Sequence, residues 1–168
     1  STFNIWRCVV AENGAVIYIP PTKKTITINT DYMKKAKKII RELKLPKAIE
    51  GKVIMSIRAE YEKQVREKLG TLVNKVSFYR NVNEVMVLPR DVDKGLGLRI
   101  AMQYLNIDMN KTIVIGDGEN DIGMFLNPGF KIAVSNAHPR LKKLANQVTE
   151  KPSTQGIREI IKKLLTTP

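Results

Sequence analysis

The chain has 168 residues, 43% of them hydrophobic, which is enough to bury a core as one domain or a small two-lobed one. It contains no run approaching the roughly twenty apolar residues of a membrane span, residues 1–10 lack the architecture of a secretory signal, and the single Cys8 rules out an intramolecular disulfide. One cysteine suits a reducing cytosol, so a cytoplasmic location is expected, while 29 Lys and Arg against 16 Asp and Glu give a formal charge of +13 that raises nucleic acid as a partner.

In chain order, Arg7–Ala11 predicts a strand with Cys8 as a small buried hydrophobe, Asn13-Gly14 a turn, and Ala15–Ile19 a second strand closing a hairpin. Pro20-Pro21 breaks the pattern. Asp31 is the expected N-cap of a helix from Tyr32 to about Leu43, which ends before Pro46. Gly51–Arg58 alternates as a strand, Glu60–Leu69 is an amphipathic helix ending at Gly70, and strands at Lys75–Tyr79 and Glu84–Leu88 are joined through Asn81-Val82-Asn83. From Asp91 onward the order becomes helix (95–106), strand (112–116), helix (about 120–127), strand (130–134), helix (138–146) and a final helix (154–165). That alternation predicts a parallel sheet. Trp6, Tyr18 and Phe125 read as packing residues.

Residues 112–125, TIVIGDGENDIGMF, carry the most chemistry. Thr112 to Ile115 lack polar alternation, as expected of a parallel strand covered on both faces. The strand runs into Gly116-Asp117-Gly118, whose glycines are expected to let the backbone turn tightly, and then into Asn120-Asp121 at the start of a helix. Two carboxylates, Asp117 and Asp121, with an amide between them thus lie at the carboxyl end of a strand, where open α/β sheets place ligands. Hard oxygen donors with nothing softer nearby suit Mg2+ better than a transition metal. Each has a plainer alternative: Asp117 as a turn aspartate, Asp121 as a helix N-terminal acid, and Asn120 as a cap. Glu119 reads as exposed, and the lone His138, before Pro139, as a helix-start residue.

GDGENDIGMF resembles the fourth motif of the haloacid dehalogenase-like phosphatases, in their archaeal phosphoglycolate phosphatase and sucrose-phosphate phosphatase-like branch. Asp93-Lys94-Gly95, with Leu98 on the helix behind, resembles the third, and AENGAVIY (11–18) and KIAVSNAHPRLKKLANQVT (131–149) extend the likeness over nearly the whole chain. About two dozen residues from Lys94 to Asp117 is what a helix and a strand of a βαβ-type unit need. The resemblance implies an α/β fold with a Rossmann-type parallel core: residues 1–21 and 91–168 as core, and 22–90 as an inserted α/β cap of the C2 type. It also implies an aspartyl-phosphate mechanism. In it Lys94 offsets phosphate charge, Asp117 binds Mg2+, Asp121 binds it directly or through water, Asn120 orients the loop, and Asn136 lies on a loop near the site. A lysine at a helix start is poorly placed against the helix dipole, which favours a functional role for Lys94.

The chain departs from the family pattern at the nucleophile. Such phosphatases begin with a strand ending in Asp-x-Asp; the only Asp-x-Asp here is Asp91-Val92-Asp93, immediately before the lysine, and the early Ser/Thr motif is absent too. The resemblance therefore predicts an N-terminally incomplete core, short by roughly seventy to eighty residues. The expected partners are a small phosphorylated substrate and either a second copy or a separate N-terminal fragment, with no membrane.

Charge distribution argues against specific nucleic-acid binding. The pairs Lys34-Lys35, Lys37-Lys38, Lys142-Lys143 and Lys162-Lys163 fall on polar helix faces opposite Met33, Ala36, Ile39, Ile40 and Leu43, or Ile157, Ile160, Ile161, Leu164 and Leu165. No zinc finger, RNA-recognition motif or arginine-rich tract accompanies them. A non-catalytic remnant that binds metal or phosphate is the other alternative to an enzyme.

Overall fold

The computed structural model describes residues 6–28 and 30–166; the first five residues of the expected core segment 1–21 lie outside the described residues. The chain forms two compact units, dividing between Asp93 and Lys94. The first opens with β1 (Val9–Ala11) and β2 (Val16–Ile19), antiparallel with Val10 opposite Ile17, so the expected hairpin is present. Its turn places Glu12, Asn13 and Gly14 all at positive φ. Asn tolerates that region better than other side chains, and this backbone need accounts for Asn13, whose buried amide has no hydrogen-bond partner among the described residues.

A third strand, β3 (Lys24–Thr27), pairs with β2 and was not expected. Pro20-Pro21 begin a 3-10 turn ended by Lys23 at φ +54°, which reverses the chain rather than merely interrupting it. Strand β3 has one half-buried apolar residue, Ile26, so it shows no hydrophobic pattern and is held by its backbone pairing. Helix α1 (Asp31–Glu42) follows, and its cap is Thr30 rather than Asp31. Thr30 has extended backbone angles and its Oγ1 accepts from Met33 N at 3.3 Å, leaving Asp31 inside the first turn.

The expected strand over 51–58 is shorter. β4 (Ile49–Glu50) turns back at Gly51, whose N–H donates to Ile54 O, into β5 (Met55–Arg58). Helix α2 (Glu62–Leu69) then leads to β6 (Val76–Asn81) and β7 (Glu84–Pro89), giving a four-stranded antiparallel sheet in the order β4-β5-β7-β6. Val85, Val87, Met55 and Ile57 are buried, as are Met33, Ala36 and Ile40 of α1.

Two charged side chains tie this unit together. Glu12 accepts from three successive backbone N–H groups, Lys52 at 2.7 Å, Val53 at 2.8 Å and Ile54 at 3.1 Å, so the turn after β1 is bonded to the turn after β4. A Cβ on Gly51 would stand 2.8 Å from the Glu12 carboxylate, which explains glycine there. Lys37, expected on the solvated face of α1, is instead 7% exposed; its ammonium donates to Gly51 O and Lys52 O and pairs with Glu50. Three acceptors satisfy its three donors, which is what allows a lysine to be buried.

The second unit contains α3 (Lys94–Tyr104), β8 (Ile113–Gly116), α4 (Ile122–Phe125), β9 (Phe130–Ala133), α5 (Pro139–Leu144), β10 (Gln147–Val148) and α6 (Ser153–Thr166). Its three strands are parallel in the order β10-β9-β8, so the parallel sheet expected from the alternation is present; the two-residue β10 was too short to read. Val114, Phe125, Ala133, Val134, Ala137 and Leu141 form the core. Ile113 is exposed, so β8, an edge strand of the described sheet, is not covered along its whole length as expected. On α6 only Ile160 of the anticipated apolar stripe is buried, while Ile157, Ile161, Leu164 and Leu165 are exposed. Phe125 packs as expected; Trp6, also read as packing, is 57% exposed, and Cys8 is only partly buried. No helix among the described residues is long and apolar enough to cross a membrane.

Glu12→Gln is expected to destabilise the chain by about 2 kcal/mol, because a carboxamide cannot accept with both ends from three donors. Urea unfolding measures it; a change within the noise would show that the three bonds contribute nothing.

Candidate phosphate and metal site

The site is built where β8 ends and α3 begins. Lys94 is the first residue of α3, and its ammonium donates to Asp121 Oδ1 at 2.6 Å. Asp121 Oδ2 accepts from Asp117 N at 2.9 Å and Gly118 N at 3.0 Å, so one carboxylate clamps the loop after β8 and holds the lysine. Asp121 is 4% exposed. Burial works against its ionised form, but the hydrogen bonds from Lys94 and from the Asp117 and Gly118 backbone, with the Lys94 charge, outweigh it and hold the pKa below the ordinary carboxylate value.

The glycines serve this clamp in a way that differs from expectation. Gly118 has φ −101°, and Gly116 is not among the positive-φ glycines, so neither is needed for a left-handed turn. They are needed for room. A Cβ on Gly116 would stand 2.8 Å from Asp121 Cβ and 3.0 Å from the Phe125 ring, and one on Gly118 would stand 2.6 Å from Asn120 Oδ1. Gly116 leaves the room in which Asp121 folds back over the loop, and Gly118 the room that the Asn120 amide occupies.

Asp117 is exposed, and no hydrogen bond or ion pair to its carboxylate is found among the described residues. Its backbone carbonyl accepts from His138 N at 2.8 Å, which pins the loop after β9 to the loop after β8. His138 caps α5, with Nδ1 accepting from Arg140 N at 3.3 Å, in keeping with a helix-start role. Arg140 in turn pairs with Glu119, which is exposed. Asn120 is half-buried against Gly118. Asn136 lies elsewhere in its bonding: its Oδ1 accepts from Ser153 N at 2.9 Å and its Nδ2 donates to Ser153 Oγ, so it caps the start of α6.

The donor set fits Mg2+ in one respect. Among the described residues no group of three or more acidic, His or Cys side chains forms a cage, but Mg2+ keeps several waters and is usually held by one or two carboxylates together with substrate phosphates. The open Asp117 carboxylate meets that requirement, whereas both Asp121 oxygens already face protein donors.

Sequence reading did not single out Asn127 and Arg99. Asn127 is buried and bonds to Gly123 O at 2.9 Å and to the Arg99 guanidinium at 2.9 Å. The one local signal was Gly95 and Gly97 inside a helix, which marks close backbone approach.

Comparison with known proteins places the chain in a family. The family model for haloacid dehalogenase-like hydrolases matches residues 1–161. Phosphoglycolate phosphatase 2 of Saccharolobus solfataricus is 33% identical over 162 residues, covering 93% of this chain and 66% of that protein. Phosphoglycolate phosphatase of Sulfurisphaera tokodaii is 28% identical, covering 93% and 68%. The chain thus spans about two thirds of the length of these relatives. A haloacid dehalogenase-like hydrolase from Bacteroides thetaiotaomicron shares the fold with a TM-score of 0.76 at 19% identity, covering 97% of this chain and 79% of that one. Thermoplasma acidophilum 0175 does so with a TM-score of 0.75 at 17% identity, covering 99% and 77%.

Because the Asp121 pKa is lowered in the folded chain, its stabilisation is complete above the ordinary carboxylate value, about pH 4, and is lost as pH falls through the lowered folded value. Asp121→Asn is therefore expected to cost about 2 kcal/mol near neutral pH, with the gap to the parent narrowing in acid. A gap in urea-unfolding free energy that stays constant into strong acid would contradict this.

Proposed function

The chain belongs to the haloacid dehalogenase-like hydrolases, and from that premise we propose that it forms the lysine- and metal-holding part of a Mg2+-dependent phosphatase for a small phosphorylated acid such as 2-phosphoglycolate. The observation that carries this reading is the Lys94–Asp121 pair at 2.6 Å beside the open carboxylate of Asp117. The substrate class rests on the phosphoglycolate phosphatases among its relatives.

In this reading Asp121 occupies one of the three N–H donors of Lys94, and the others face phosphoryl oxygens, where the fixed ammonium offsets developing charge. Asp121 positions Lys94 and stiffens the loop; Asp117 would hold Mg2+ directly, with Asp121 reaching it through water, and Asn120 shapes the loop around Gly118. When bound, Mg2+ supplies Lewis-acid neutralisation of the phosphoryl oxygens and a template for the substrate. In this reading the carboxylate nucleophile comes from outside this chain, from a separate N-terminal fragment, since the only Asp-x-Asp is Asp91-Val92-Asp93. Residues 1–21 and 91–168 are assigned to the core and 22–90 to a cap that selects the leaving group. The net charge of +13 draws anionic substrates toward the protein.

The purified chain alone is expected to hydrolyse neither p-nitrophenyl phosphate nor 2-phosphoglycolate above background with Mg2+, and to bind Mg2+ in calorimetric titration. Asp117→Asn should weaken that binding more than Asp121→Asn. Turnover abolished by EDTA would overturn the external nucleophile; a parent chain without Mg2+ affinity, or two variants indistinguishable from it, would overturn the metal site.

A further inference from the structure

Lys94 projects from the first residue of α3, and its position depends on how that first turn is held. The next residue, Gly95, lies in backbone contact with α4: a Cβ there would stand 2.2 Å from Gly123 O, inside any permitted contact. Backbone contact alone does not stop one short helix from sliding on another. At this contact lies Asn127, 4% exposed and just beyond the end of α4. Its Nδ2 donates to Gly123 O of α4 at 2.9 Å and makes a longer 3.5 Å contact with Gly95 O of α3. Its Oδ1 accepts from Arg99 Nη1, one turn further along α3, at 2.9 Å. A single amide thus bonds to both helices, using its NH2 as donor and its carbonyl oxygen as acceptor on separate atoms.

We propose that Asn127 is a positioning residue for Lys94, acting through the first turn of α3 to hold the ammonium over Asp121 and the loop after β8. The inference rests on the reading of Lys94 as the phosphate-binding lysine for its functional consequence, though not for its geometry. Asp121 immediately precedes α4 and Lys94 begins α3, so the register of the two helices sets the 2.6 Å separation between their charged groups. Without the amide, α3 is free to shift by a fraction of an ångström. Such a shift leaves the core packed, but it matters to a charge-assisted hydrogen bond.

Double-mutant cycles on urea unfolding test the geometry. Lys94→Met and Asp121→Asn, singly and together, give the Lys94–Asp121 coupling in the parent and again in Asn127→Ala and Asn127→Asp. Asn127→Asp keeps an acceptor for Arg99 but turns the donor toward Gly123 O into an oxygen, so it is expected to fail as Asn127→Ala does. In both, the coupling is expected to fall by about tenfold in equilibrium terms. Arg99→Gln, at an exposed position, removes one arm of the clamp and is expected to lower the coupling less; it decides the matter if the Asn127 variants do not fold. Unchanged coupling in a folded variant overturns the proposal and reduces Asn127 to helix packing.

Orthophosphate titration followed by NMR tests the consequence. Affinity is expected to drop about tenfold in Asn127→Ala and to show no further loss when Asn127→Ala is added to Lys94→Met. Independent losses in that background would also overturn the proposal. A parent chain that binds no orthophosphate would sink the functional reading of Lys94, while the unfolding cycle would still decide the role of Asn127.

Discussion

The Asp121 carboxylate is the group on which the arrangement of the loop after β8 and the start of α3 depends. It is buried, and a buried carboxylate is costly unless its lone pairs are filled. Here they are filled by a lysine ammonium and two backbone N–H groups. Each partner is fixed by the requirement to meet that charge. The loop after β8 must curl so that the N–H groups of Asp117 and Gly118 converge, Gly116 must lack a side chain so that the carboxylate has room, and α3 must begin close enough for Lys94 to reach. The consequence is that Asp117, one residue beyond the strand, is left with its carboxylate turned to solvent. A carboxylate committed to structure and its neighbour left open form a division of labour that two similar residues four apart can support.

The first unit solves a comparable problem without a site of this kind. Glu12 fills its lone pairs with three successive N–H groups of the 52–54 backbone, and Lys37 fills its donors with two carbonyls and Glu50. These are side-chain-to-backbone bonds between segments about forty residues and about fifteen residues apart, in a region where short strands and turns leave backbone groups unpaired. They do for loops what ladders do for strands. The positive φ of Glu12 and Asn13 is the local cost of aiming the carboxylate at that turn, and the three charge-assisted bonds offset it.

Membership of the haloacid dehalogenase-like hydrolases sets what the chain is related to, and unit two brings Lys94, Asp117 and Asp121 together at the end of β8. The chain carries Lys94, Asp117 and Asp121, and its one Asp-x-Asp, Asp91-Val92-Asp93, lies directly before that lysine. Phosphoryl transfer is mostly positioning and charge neutralisation, and in the proposed function Lys94, Asp117 and Asp121 are the groups that would supply both. The abundance of lysine is spread over several helices, which fits a general attraction for anions better than a surface that reads nucleic-acid sequence.

Much of the second unit was legible because its signals are local. A β-branched run ending in Gly-Asp-Gly, the alternation of helix and strand after Asp91, and the Lys94 to Asp117 spacing each lie within a short window, and they named the parallel sheet, the acidic loop and the family. What the sequence could not determine was the identity of partners across distance. That Thr30 rather than Asp31 caps α1 was a matter of one residue's backbone angles; that β3 pairs with β2 depended on a reversal at Lys23; that Lys37 is buried depended on carbonyls at Gly51 and Lys52. The roles of Asp121 and Asn127 depended on Lys94 and Arg99, 27 and 28 residues away. Periodicity and turn chemistry are properties of neighbouring residues, so sequence alone determined them; which donor meets which acceptor is set by how helices pack, and only the tertiary structure decided that.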